Sequence, residues 1–409
     1  MLASPFLDQK FERPTYPDSC RAFYAAAEKV GARIYEESSW GKLRGLWRAG
    51  KGEDELLTVA AYLGPENPEK VIIVTSGLHG SELYMGAMLQ IEYLLSWAAM
   101  APKEIGLLCI HGLNPWGSSH SHRNDQKNRD PNRANVTLAK GEAVPTLPEY
   151  HELHPFINPR SPDTFRYAKC LEAVCEYWFK QGIQELLRGS WREVVRREGW
   201  RKAMQIGLLK LKKVIGSGQG AFREGVFWAG DGTPTQTSTV LRRLIHKAIP
   251  QSARTWMLLD AHSGLGLPKE FSLISHFAKG SVANALMGSW YGENRIEVTD
   301  ADQGVAVHSS GVIETIFEEE AVYFPCVTFT GLCVEIGTKA LVPSSWAVCK
   351  RNSVGVYHYS DPYAPLAVES RKEMDETFFP ASRELRQAVI EKGHSLLLET
   401  VRGLTFKCA

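Results

Sequence analysis

His79 and Glu82 stand three apart in Val71-Ile-Ile-Val-Thr-Ser-Gly-Leu-His-Gly-Ser-Glu82. Imidazole nitrogen and carboxylate oxygen both suit Zn²⁺, at about 2.0–2.2 Å. The β-branched run before them reads as a buried strand, glycines flank the turn, and Leu83 to Leu95 has helical period. Such a strand-to-helix turn lies where α/β sheets place ligands, beyond the carboxyl ends of their strands. Alone the spacing is a weak signal, because H-x-x-E arises by chance and a strand-end histidine is often a hydrogen-bonded core residue. A catalytic zinc needs a third protein ligand and one open position.

Thr255-Trp-Met-Leu-Leu-Asp-Ala-His262-Ser-Gly-Leu-Gly266 repeats the pattern of apolar strand, histidine and glycines. His79, Glu82 and His262 then make a His₂Glu set, each at the end of an expected strand. A zinc held there lowers the pKa of its water toward about 7 and polarises a carbonyl. A separate carboxylate must take the proton and pass it to the leaving amine. Glu335, near the end of the apolar run Cys326 to Ile336, is the candidate. Burial raises its pKa and a nearby cation lowers it, so sequence does not fix the sign of the shift.

Other clusters compete less well. His151-Glu-Leu-His154 and His120-Ser-His122 are expected on the surface, in polar loops with no strand to fix them. Gly216-Ser-Gly-Gln-Gly-Ala lacks a preceding strand and the Lys-Ser/Thr of a phosphate loop. No G-x-S-x-G elbow is present, and Ser81 and Ser263 lack its flanking glycines.

The positioning elements follow from period and punctuation. A helix is expected from Arg21 to Val30, after a turn at Tyr16-Pro-Asp-Ser. Strands are expected at Leu43–Arg48, Leu56–Leu63, Ile105–His111 and Phe271–His276, and helices close the chain from Glu369 to Gly403. Strand, loop and helix in repetition predict an α/β layered sheet. Ser118 to Asn135 has almost no apolar residue, so it is expected to add little to a core and to be functional or disordered. Residues 140–250 read as a mostly helical insertion within a single domain, 1–409. Its basic, Trp-bearing part, Arg188 to Lys213, is expected to be a solvated face.

Lys and Arg number 47 against 46 Asp and Glu, which gives no net field for nucleic acid or an anionic membrane. No uncharged apolar run reaches spanning length and no signal-peptide pattern opens the chain, so a cytoplasmic protein is expected. The eight cysteines form no C-x-x-C pair, which disfavours a thiolate zinc site. Cys109, Cys326 and Cys333 fall in apolar runs and are expected reduced and in the core.

The motif order is specific: H-x-x-E, Asn114-Pro-Trp-Gly117, Arg123, Asp130-Pro-Asn-Arg133, His262, then a strand Glu. It resembles the zinc carboxypeptidase family, typified by carboxypeptidase A. Ser76-Gly-Leu-His-Gly-Ser-Glu82, Asp260-Ala-His-Ser-Gly-Leu-Gly266 and Glu335-Ile-Gly-Thr338 look like a bacterial branch catalogued as a domain of unknown function. The similarity runs from about Leu56 to Phe379-Pro, most of the chain. The resemblance implies that His79, Glu82 and His262 bind one zinc and that Glu335 is the general base and acid. It implies that Asp130 orients a zinc-bound histidine, that Asn132 and Arg133 hold a substrate carboxylate, and that Arg123 stabilises the oxyanion. Ala134 stands where the pattern often continues with Asn, and Pro131 at a usually apolar position. The family's substrate-capping tyrosine has no match; His308 is a candidate by location only.

The expected fold is therefore a carboxypeptidase-like α/β domain with a mixed, mostly parallel eight-stranded sheet flanked by helices, its strand count implied by the resemblance. The expected reaction is zinc-dependent hydrolysis of an amide bond next to a free carboxylate. An aspartoacylase-like deacylase of N-acyl amino acids and a non-catalytic, metal-retaining binding module are the alternatives. A peptide or a small acylated amino acid is the expected partner, without nucleic acid or membrane, and the oligomeric state stays open.

Overall fold

The computed structural model describes residues 6, 14–38, 42–44, 53–100, 103–136, 138, 142, 144–160, a few positions between 176 and 214, 216–299, 311–358 and 361–405. Within them ten strands follow in chain order: β1 Arg33–Glu37, β2 Lys42–Arg44, β3 Glu53–Glu55, β4 Thr58–Leu63, β5 Lys70–Ser76, β6 Ile105–His111, β7 Thr255–Leu265, β8 Phe271–Ser275, β9 Ile296–Val298 and β10 Thr328–Lys339. β2 and β3 pair as a separate ribbon, and the other eight form one mixed sheet ordered β1-β4-β6-β5-β7-β10-β8-β9. The pairs β6-β5, β5-β7, β7-β10 and β8-β9 are parallel and β1-β4, β4-β6 and β10-β8 antiparallel. The expected eight-stranded, mostly parallel α/β sheet is what forms.

The central strands read as near-continuous apolar runs because helices cover both faces of a parallel sheet. Every residue of β6 is buried, as is all of β5 after Lys70. The helix Leu83–Met100 is apolar on nearly every side, as a helix enclosed by other elements must be. It packs on β5, β6 and β7 and against the helices Tyr16–Lys29 and Arg383–Thr405. The helices Gln236–Ala248 and Ile313–Ala321 pack on each other, the first also on β1 and β4, the second on β10. Among the described residues no helix is long and apolar enough to cross a membrane.

Several expectations need correction. Tyr16-Pro-Asp-Ser is the first turn of a helix. The Thr15 side chain accepts from the Asp18 amide while the Asp18 carboxylate accepts from the Thr15 amide, with Pro17 in the opening turn. Cys326 is exposed, because β10 starts only at Thr328 and Cys326 sits in a turn at φ 51°. His151 and His154 lie on the helix Pro148–Ile157, the first exposed and the second half-buried. Of the expected insertion, Arg188 to Lys213 lies almost entirely outside the described residues. Gln236–Ala248, inside the same range, packs on the sheet.

The largest correction concerns the polar stretch. Most of Ser118 to Arg133 is buried, His120 and His122 included. Burying polar groups is costly unless they find partners, and here the chain supplies most of them. The Asn114 side chain accepts from the Gly117 amide, and Asp125 Oδ1 accepts from the amides of Lys127 and Arg129. Arg129 Nε donates to Asp125, and the buried Arg351 donates to the carbonyls of His120 and Ser121. Trp116 stacks on His120 at 4.3 Å. The stretch is a polar core whose order comes from hydrogen bonds, which apolar periodicity does not register.

That core abuts the turn after β5. A Cβ built on Gly80 would lie 2.1 Å from the Gly117 carbonyl carbon and 2.2 Å from the Ser118 nitrogen. Gly80→Ala is therefore expected to cost about 1–3 kcal/mol or more. Urea unfolding should show a lower midpoint at unchanged slope; an unchanged midpoint would mean the two backbones separate freely.

Candidate metal centre

β5 ends at Ser76, and Gly77 at φ 71° turns the chain out of the sheet. The Leu113 and Asn114 amides donate to the carbonyls of Ser76 and Gly77, fixing this corner to the end of β6. His79 is extended, and Gly80–Glu82 then makes one 3₁₀ turn. The amides of Gly80 and Ser81 donate to the carbonyls of Arg123 and His122, so the polar core grips the turn from below. On β7, Asp260 and His262 are two apart and share a face. Cys333 and Glu335 stand directly beside them on β10.

These elements bring the expected residues together. His79, Glu82 and His262 are all buried, and one ligand atom from each lies within 4.8 Å of the others. His79 Nδ1 is 3.0 Å from Glu82 Oε1, and His262 Nδ1 is 2.8 Å from Glu82 Oε2. The far nitrogens face other carboxylates: His79 Nε2 is 3.1 Å from Asp130 and His262 Nε2 is 2.6 Å from Asp260. Thr75 Oγ1 donates to the second oxygen of Asp260 at 2.5 Å.

A divalent cation fits this set. His79 Nδ1 is buried and makes no hydrogen bond among the described residues, although it faces a carboxylate. Arg123 Nη2 also lies 2.7 Å from His79 Nε2, a nitrogen that can donate to Asp130 or accept from Arg123 but not both. Donation to Asp130 leaves the lone pair on Nδ1, aimed at Glu82. Two imidazole nitrogens and one carboxylate within 4.8 Å of one another make a candidate cation site whose histidines are backed by carboxylates.

Electrostatics follow from burial and neighbours. Burial opposes the charge of Glu82, yet His79 and His262 hold its pKa well below the usual range. Burial likewise opposes Asp130, which Arg123 and then His79 hold well down. For His262 burial disfavours the charged ring, and Asp260 and Glu82 override it, raising the pKa well above the ordinary value. Glu335 moves the other way: burial and then the Glu82 charge push it up to about 7. Its Oε1 accepts from the Leu265 amide at 2.9 Å.

The arginines are held differently. Arg123 donates to Glu82 through Nη1 and to Asp130 through Nε, both at 3.0 Å. Arg133 gives Nε to the Gly216 carbonyl and Nη1 to the Asn132 carbonyl, both at 2.8 Å. Its Nη2 makes no hydrogen bond among the described residues. The Asn132 amide donates to Asp130, and its side-chain oxygen accepts from the Ile313 amide.

Sequence reading missed two participants. Asp260 was legible as a carboxylate two residues before His262 on one strand face. Phe227, at φ 58°, lies under both guanidinium groups, 4.8 Å from Arg123 and 5.9 Å from Arg133, and nothing in the sequence marked it. His308 lies outside the described residues.

Purified protein is expected to carry about one divalent metal ion per chain, lost in His79→Ala, by elemental analysis. Asp260→Ala should weaken metal affinity roughly 10–100-fold in chelator competition, because it removes the acceptor that orients His262. Equal affinity in that variant would show that Asp260 does not orient the ring.

Carboxypeptidase A from Helicoverpa armigera aligns at 11% identity over 95% of this chain and 75% of that one, with a TM-score of 0.41. A metallo-carboxypeptidase from Burkholderia cenocepacia aligns at 12% identity over 92% and 69%, with a TM-score of 0.35. No curated protein matches the chain. A family model described as "Protein of unknown function (DUF2817)" matches residues 13–193 and 186–392, and with most of its length so covered the chain belongs to the DUF2817 family.

Proposed function

We propose that the protein is a zinc-dependent hydrolase that cleaves an amide bond adjacent to a free carboxylate, as the zinc carboxypeptidases resembled by its motifs do. The observation that carries this reading is the buried His79–Glu82–His262 triangle with Glu335 directly across from His262 on the neighbouring strand. A zinc ion bound there would supply Lewis acidity, making water a better nucleophile and a carbonyl a better electrophile.

The chain's own groups divide the remaining work. Glu335 accepts the proton of the attacking water and returns it to the amine as the C–N bond breaks. The Leu265 amide holds one Glu335 oxygen, which leaves the other to carry the proton. Arg123, fixed by Asp130 and Glu82, presents its guanidinium to the oxyanion that develops on the carbonyl. Arg133 Nη2 takes the substrate carboxylate. Its Nε and Nη1 already donate to the Gly216 and Asn132 carbonyls, so the arginine is oriented before substrate arrives.

Glu335→Gln should keep its metal and lose about 10²–10⁴-fold in turnover. Retained turnover removes Glu335 from this role, and metal binding with no turnover by wild type on any peptide or N-acyl amino acid favours a binding module. Glu335 must be ionised to accept a proton, so kcat/KM should fall as pH drops through its pKa. Burial and Glu82 bring that pKa to about 7 and a bound cation draws it down, so the acid limb should lie at or below about 7. An acid limb rising well above that value would contradict the assignment.

A further inference from the structure

His122 is a buried side chain that the reaction above leaves unused. It is 4% exposed, and its Nδ1 accepts from the Asn124 amide at 3.2 Å. A ring whose Nδ1 accepts carries its proton on Nε2. That Nε2–H is a donor, and it makes no hydrogen bond among the described residues. A buried donor left so is costly to the fold unless something else meets it. In front of it stands Gly355, in the last turn of the helix Leu341–Tyr357; a Cβ built there would lie 2.8 Å from Nε2.

His122 and Gly355 both line a cavity of about 340 Å³, within the size range of small-molecule sites. Its walls come from residues 116–128, from the loop at Arg223 and Glu224, and from the end of that helix. Hydrogen bonds join the three. Asn128 Nδ2 donates to the Arg223 carbonyl and Asn352 Nδ2 to the Glu224 carbonyl, both at 2.9 Å. The cavity is therefore formed by the fold itself. No metal ligand lines it, and neither does Arg123 or Arg133. Arg123 follows His122 in sequence, yet its guanidinium turns to Glu82 and Asp130.

Four charged residues reach the cavity, and only the cations are free to meet a ligand. Asp125 is satisfied inside the fold: Oδ1 accepts from the Lys127 and Arg129 amides and Oδ2 from Arg129 Nε. Glu224 faces the Arg160 guanidinium at 3.8 Å. Lys127 and Arg223 are exposed and form no ion pair among the described residues. Trp116 and Val356 add apolar wall.

We propose that this cavity binds a small aromatic carboxylate, at a site separate from the metal centre. The ring lies against Trp116, the carboxylate meets Lys127 and Arg223, and one of its oxygens accepts from His122 Nε2. Such a site does not depend on whether the metal centre hydrolyses anything.

The test is calorimetric titration of the full chain with benzoate and indole-3-carboxylate and with their amides, which keep the ring and lack the charge. Wild type should bind at least one of the carboxylates about tenfold or more tightly than its amide, as charge-assisted recognition provides. The double variant Lys127→Gln/Arg223→Gln, altered only at exposed side chains, should lose that preference. Gly355→Ala, which sets a methyl group against Nε2, should weaken binding about tenfold or more. Arg133→Ala should bind as wild type does, which separates this cavity from the arginine beside the metal centre. Neither carboxylate binding at about 1 mM overturns the inference, as does equal affinity for carboxylate and amide. Binding that Arg133→Ala abolishes, or that Gly355→Ala leaves intact, overturns it too. The wild-type and double-variant comparisons decide the matter even if Gly355→Ala fails to fold.

Discussion

Two imidazole rings are turned so that both Nδ1 atoms face one buried carboxylate, Glu82, and much of the fold around them serves that orientation. A ring can present either nitrogen, and the choice is made by whatever accepts from the other one. Here Asp130 sits behind His79 and Asp260 behind His262. Neither carboxylate acts alone: Arg123 bridges Asp130 to Glu82, and Thr75 on β5 donates to Asp260 on β7. The sheet supplies the precision, because Thr75 and Asp260 are register partners in a parallel pair. Loosening that register would move a ligand and its orienting carboxylate together.

The same constraint explains why so much polar surface is buried. Asp130, Arg123 and the carbonyls that receive the Gly80 and Ser81 amides all come from a single stretch with few apolar residues. Ordering it needs a web of hydrogen bonds in place of an apolar stripe, reaching as far as Arg351 and Asn352 on the helix Leu341–Tyr357. Such a network is rigid when every member is satisfied. It is also the natural seat for groups that must meet substrate without being dissolved by water.

Elements with strong apolar periodicity were legible in the sequence. β6 begins and ends where its run does, β7 begins with its run and continues past His262 to Leu265, and the helix Leu83–Met100 only extends the expected one. The two histidines, Glu82 and Glu335 were legible because each lies in or just beyond the last residues of such a strand. What stayed hidden depends on tertiary partners. His120 and His122 read as surface residues because their polarity suggested solvent, whereas Arg351 and Trp116, distant or aromatic, enclose them. Phe227 reaches the arginines through a left-handed backbone position that no local pattern announces. Nothing in the sequence singled out Glu314, and only its burial with no hydrogen-bond partner among the described residues sets it apart.

X-ray absorption at the zinc edge of zinc-loaded protein reads the atoms around the bound ion directly. Two imidazole nitrogens and carboxylate oxygen at about 2.0–2.2 Å are predicted, with one imidazole lost in His262→Ala. A spectrum dominated by sulfur, or one that His262→Ala leaves unchanged, would contradict that coordination.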